Sequence, residues 1–70
     1  PQGLVALRVG EDRYQLYAVK GQQAWLFAST AAAADNGWDL ERAKQVSLRE
    51  LAGLEKRIVQ GMDIQRFGPQ

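Results

Sequence analysis

The feature that most constrains the fold is a run of strand-like sequence that is apolar on both faces, followed by only one well-marked helix. Residues 4–29 are rich in Leu, Val, Tyr, Trp and Phe, and two short polar segments interrupt them. β-Branched and aromatic residues of this kind favour strands. One helix covers only one face of a small sheet. The second face therefore needs a shorter helix, a second copy of the chain or a partner.

The order of these segments predicts one small α+β domain over residues 1–70. Strands are expected at about 4–9, 14–19 and 24–28, joined by turns at Gly10-Glu11-Asp12-Arg13 and Lys20-Gly21-Gln22-Gln23. A helix is expected at about 48–60, where Ser47 and Glu50 form a capping box and leucines recur at helical spacing. The predicted fold is a three-stranded antiparallel meander with this C-terminal helix packed on one face.

Centring the two turns on Glu11-Asp12 and Gly21-Gln22 assigns each strand side chain to a face. The core face beneath the helix is then Val5, Leu7, Val9, Tyr14, Leu16, Ala18, Trp25 and Phe27. A solvated face should be mostly polar, yet the opposite face is largely apolar. We therefore expect its larger apolar members to bind a partner, namely Leu4, Tyr17, Val19 and Leu26. The open edge of the third strand, which carries no charge, offers a second route to association.

Two segments are less well specified by the sequence. Ser29 or Thr30 caps a short helix through Ala31–Ala34, or else residues 29–38 form an irregular loop between sheet and helix. Such a helix would offer a cover for the second face within the chain. Asp39 is a cap for one further short turn. The tail from Asp63 to Gln70 is expected to fray, with Phe67 as its one possible anchor.

No residue pattern in the chain indicates catalysis. The chain contains neither cysteine nor histidine, which removes the commonest base, the best nucleophile and the usual zinc ligands. Ser47 is better explained as a helix cap, and adjacent Glu11 and Asp12 suit an exposed turn. We therefore expect a non-enzymatic protein with no catalytic residue, cofactor, metal site or small-molecule substrate.

Nucleic-acid binding is the alternative function. A three-stranded sheet carrying Arg8, Arg13 and Lys20 would lie on a sugar–phosphate backbone, with Tyr17 stacking on a base. The charge balance argues against this alternative, because nine basic and eight acidic residues give a net charge of only +1. The same balance argues against a membrane-surface peptide.

The sequence thus favours a small protein-interaction module that associates with itself, as a homodimer, or with a protein partner. A chain of this length buries only about 60% of its unfolded surface, so docking onto another chain adds stability. Compact domains of this kind commonly act as inhibitors, adaptors or assembly domains in phages and mobile elements, which is an analogy. No apolar stretch approaches the roughly 20 residues that span a bilayer. A cysteine-free chain fits a reducing cytosol, so a cytoplasmic location is expected.

Overall fold

The fold is α+β, with a mixed sheet and short helices, in a computed structural model that describes residues 1–69. The strands of this part of the chain are β1 (Gly3–Gly10), β2 (Arg13–Lys20), β3 (Gln23–Leu26), β4 (Lys44–Val46) and β5 (Glu55–Ile58). Its helices are α1 (Thr30–Asp35), α2 (Leu48–Leu51) and α3 (Ile64–Phe67), with a 3₁₀ turn at Leu40–Arg42.

The predicted meander forms the centre of the sheet, but two further strands flank it. The strand order is β4-β1-β2-β3-β5, in which β1, β2 and β3 pair antiparallel. β4 pairs parallel to β1, and β5 pairs parallel to β3. The prediction of a three-stranded sheet with an open third strand is therefore wrong, because β5 covers that edge. Both outer strands are short and mostly polar, so they lack the apolar alternation that marks a strand in a sequence.

A β-bulge shifts the register of the first hairpin. Gly10 lies opposite Arg13, as the turn at Glu11-Asp12 predicts, but Arg8 rather than Val9 lies opposite Tyr14. Val9 is thus an extra residue, and every β1 side chain before it moves to the other face of the sheet. The second hairpin has the predicted register, with Ala18 opposite Trp25 and Tyr17 opposite Leu26.

The shifted register distributes apolar side chains over two cores, one on each side of the sheet. The Trp25 face carries the buried residues Leu4, Leu16, Ala18, Trp25 and Phe27, covered by Ala33, Val59 and Phe67. The Tyr17 face carries the buried residues Val5, Leu7, Tyr17, Val19, Ala24 and Val46, covered by Leu51. The predicted core face was therefore wrong for Val5 and Leu7, which lie on the Tyr17 face, and for Val9 and Tyr14, which are half exposed.

The predicted helix at 48–60 is wrong beyond its first turn. Ser47 does cap it, since its hydroxyl accepts a hydrogen bond from the Glu50 backbone N–H at 3.4 Å. The helix ends at Leu51, because Gly53 adopts a φ of +86° and the chain then enters β5. A glycine in the left-handed region is a common helix stop. The short connection lies on the Tyr17 face, where Leu51 fills the core and Leu54 packs beside it.

Replacing Gly53 with alanine tests whether the helix ends before this residue. A helix end and a continuous helix predict opposite signs for the change in the free energy of unfolding. At a positive φ, a β-carbon costs roughly 1–2 kcal/mol, so we expect the free energy of unfolding to fall by about that amount. Within a continuous helix the same change would raise it by about 1 kcal/mol. Urea denaturation gives the sign. Gly10→Ala is the matched control, because Gly10 has no positive φ and a β-carbon there meets only ordinary contacts with Arg13.

The Trp25 face is covered by α1 and by the C-terminal segment, which are joined by the buried side chain of Asn36. Ser29 caps α1, as one of the two predicted alternatives has it. The Asn36 Nδ2 donates to the carbonyl oxygen of Ala32 at 2.9 Å, and its Oδ1 accepts from the Asp63 N–H at 2.8 Å. The predicted fraying of the tail is therefore wrong for the part that the structure describes, where Phe67 is buried; Gln70 lies outside that part.

Candidate functional site

The four residues predicted to bind a partner do not form one exposed patch. Leu4 lies on the Trp25 face, whereas Tyr17 and Val19 lie on the Tyr17 face, and all three are buried. The expectation of an uncovered face is wrong at these positions. Leu51 and Leu54 pack over Tyr17 and Val19, whereas Leu4 is covered on the other face by Ala33, Val59 and Phe67. Of the four, only Leu26 keeps partial exposure.

The three cations of the nucleic-acid alternative lie at two ends of the sheet. Arg8 and Arg13 flank the first turn, whereas Lys20 ends β2 about 23 Å further along the strand at about 3.3 Å per residue. The ammonium group of Lys20 donates to the carbonyl oxygen of Arg66 at 3.1 Å, where it holds the end of α3. Tyr17, the predicted stacking residue, is buried and donates its hydroxyl to Gln15 Oε1 at 3.0 Å. These residues therefore do not make one surface.

An open corner of the sheet remains beside Leu26. Ile58, the last residue of β5, pairs with Leu26 and shares its face, because paired residues of parallel strands point to the same side. Ile58 is 61% exposed. The connection through α2 crosses from the end of β4 to the start of β5, which leaves this far corner of the Tyr17 face uncovered. Leu26 and Ile58 together are the open corner.

The outer edge of β5 adjoins the open corner and presents backbone hydrogen-bonding groups. The Glu55 N–H donates to the Gln22 carbonyl at 2.8 Å, and the Val59 N–H donates to the Leu26 carbonyl at 2.9 Å. Backbone groups of a strand alternate sides, so those of Lys56 and Ile58 point away from β3. A further strand can pair with them.

The three charged side chains of β5 are engaged within the chain. Glu55 Oε1 accepts from Gln23 Nε2 at 2.9 Å, and its Oε2 accepts from Arg57 Nη2 at 2.6 Å. The hydrogen bond from Gln23, the hydrogen bond from Arg57 and the charge of Arg57 hold the pKa of the Glu55 carboxyl below its ordinary value. The ammonium group of Lys56 folds back onto the carbonyl oxygens of Leu51 and Leu54, at 2.8 and 3.2 Å.

The two edge strands, β4 and β5, differ in whether the charge of their lysine is bound within the chain. Lysines on edge strands normally oppose pairing with another chain. On β5 the charge of Lys56 is directed at the end of α2 rather than outward. On β4, Lys44 is exposed, and no residue within 1–69 binds its ammonium group. The edge of β5 is therefore the more open of the two.

Two serine hydroxyls of the described chain have structural roles. The hydroxyls of Ser29 and Ser47 cap helices. A groove of about 320 Å³ lies on the Trp25 face between Tyr14 and Leu40, over Ala6 and Leu16, and contains no charged side chain. Within residues 1–69, no three Asp or Glu side chains are grouped as metal ligands. None of the helices in that range has the length and apolar character that a bilayer crossing requires.

Sequence reasoning missed Ile58, which it placed inside a helix. Two signals favoured a strand there: Gly53 breaks the helical pattern, and the β-branched pair Ile58-Val59 follows it closely. The leucine spacing at 48, 51 and 54 outweighed them. Comparisons of the chain with protein-family models, curated proteins and solved structures found no match.

Proposed function

We propose that the chain is a non-catalytic protein-interaction module that self-associates through the free edge of β5 and the open corner of the sheet. The observation that carries the proposal is the position of Ile58. A β-branched residue, 61% exposed, stands on an edge strand whose charged side chains are already engaged within the chain. Pairing at a sheet edge supplies main-chain hydrogen bonds, and adjacent apolar side chains supply buried area.

The alternative of nucleic-acid binding has less support. Arg8 and Arg13 lie far from Lys20, and Tyr17 is buried. Acidic residues Glu11 and Asp12 occupy the turn between the two arginines, which weakens the local positive potential that phosphate binding requires.

Light scattering coupled to size exclusion, over a range of protein concentrations, tests the proposal. We expect the wild-type mass to rise toward twice that of the monomer, and the Ile58→Asp variant to stay monomeric, because a buried unpaired carboxylate opposes pairing. Leu48→Asp is the matched control, since Leu48 is 68% exposed but lies on α2, away from the edge. A wild-type protein that is monomeric at every concentration would contradict self-association. Equal loss in both variants would contradict the role of β5.

A further inference from the structure

We propose that two copies of the chain pair their β5 strands antiparallel about a two-fold axis at Ile58, so that the two sheets become one continuous sheet. The inference rests on the proposed function and deepens it, because it names the second copy as the occupant of the edge and gives the register. A two-fold contact uses the same surface on both copies, so the strand must be complementary to itself.

The faces of the sheet restrict the register. Residues directly opposite each other in an antiparallel pair point to the same face. A two-fold axis perpendicular to the sheet keeps the Tyr17 faces of both copies on one side of the joined sheet and the Trp25 faces on the other. One residue of β5 must therefore lie directly opposite the same residue of the second copy, with the axis midway between them. We call this residue the centre. The centres that bring the outward backbone groups of Lys56 or Ile58 into pairing are Lys56, Arg57 and Ile58; with a centre at Arg57, Lys56 of each copy pairs with Ile58 of the other.

The charges select among these three centres. A centre at Arg57 sets Arg57 opposite Arg57 of the second copy. A centre at Lys56 sets Lys56 opposite Lys56 of the second copy. Both are unfavourable, because like charges directly opposite each other are destabilising. The Lys56 centre also sets Glu55 against Arg57 of the second copy, but each chain already joins that pair at 2.6 Å. A centre at Ile58 sets Lys56 opposite Gln60 and Arg57 opposite Val59, so no like charges meet.

The Ile58 centre also closes the open corner. Leu26 lies beside Ile58 in each copy. Pairing at Ile58 then makes an apolar row across the interface, in which two isoleucines meet between two leucines on the Tyr17 face. The outward N–H and C=O groups of Ile58 bond to those of Ile58 in the second copy. Association ends at the dimer, because the remaining β4 edges keep the exposed charge of Lys44.

Single-cysteine variants read the register directly, because the chain has no cysteine of its own. Opposite residues of a hydrogen-bonded antiparallel pair have Cα atoms about 5.5 Å apart, within the range of roughly 4.4–6.8 Å that a disulfide bridges. We expect mild oxidation to cross-link Ile58→Cys several-fold faster than Lys56→Cys, Arg57→Cys or the control Leu48→Cys, as measured by non-reducing electrophoresis. Wild-type light scattering is run in parallel.

The outcomes separate the inference from the proposed function. Fastest cross-linking at position 58 supports the register. Fastest cross-linking at position 56 or 57 overturns it while leaving association through β5 intact. A wild-type dimer whose β5 variants cross-link no faster than the Leu48 control overturns both the register and the use of this edge. A wild-type monomer overturns the inference together with self-association.

Discussion

Replacing Leu51 with alanine is expected to lower the free energy of unfolding by about 2–5 kcal/mol, the range for leucine-to-alanine changes at buried sites. Leu51 is fully buried and is the one buried residue of α2. It packs against the Tyr17 face, where Val5 and Val19 are also inaccessible to solvent. The loss comes from the contacts that Leu51 makes with these buried side chains and from the cavity that its truncation leaves. Urea denaturation measures it.

Leu48→Ala is the matched control for this change. Leu48 belongs to the same turn of helix but is 68% exposed, so its truncation should alter stability by no more than about 0.5 kcal/mol. The two variants differ only in which side of α2 loses its side chain. Equal effects at both positions would mean that α2 does not close the Tyr17 face.

Replacing Phe67 with alanine is expected to cost about 3–5 kcal/mol, the range for buried phenylalanine. The Phe67 ring is buried, and its centroid lies 5.0 Å from that of Trp25. Its backbone carbonyl also accepts a hydrogen bond from Trp38 Nε1. Loss of the ring therefore loosens both the C-terminal segment and the Trp25 core. A tail that frays would lose nothing on this substitution.

Met62→Ala is the control in the same segment, because Met62 is 69% exposed. Its truncation should change stability by no more than about 0.5 kcal/mol. Thermal or urea denaturation of the pair, followed by tryptophan fluorescence, distinguishes a packed tail from a loose one. Similar small effects of both substitutions would show that Phe67 does not anchor the segment.

Sequence reasoning found the local structure where a few neighbouring residues decide it. The turn at Gly21-Gln22, with Gly21 at a φ of +60°, sets the second hairpin register as predicted. Ser29, Asp39 and Ser47 each cap the element that follows them. These features depend on backbone freedom and on hydrogen bonds between residues close in the chain, so their signals are readable in the sequence.

The face assignment of β1 failed for a specific reason. Leu4 and Ala6 alternate with Val5 and Leu7, so both faces of this strand are apolar. Register is strongly specified by pattern only where one face is polar. A bulge at Val9 reverses the assignment without placing any charged residue in a core. The predicted partner patch was lost with it, since Leu4 went to one core and Tyr17 and Val19 to the other.

What the sequence alone determined is the α+β class, the central meander, the turns and the helix caps, all of which follow from local conformational preference. The tertiary structure alone decided that β4 and β5 extend the sheet, that the 47–54 connection crosses the Tyr17 face, and that Ile58 rather than Tyr17 is exposed. Outer strands of three and four residues have too few side chains to show a recognisable strand pattern in the sequence. They pair with β1 and β3, which are distant in sequence, so they form only when the whole chain folds.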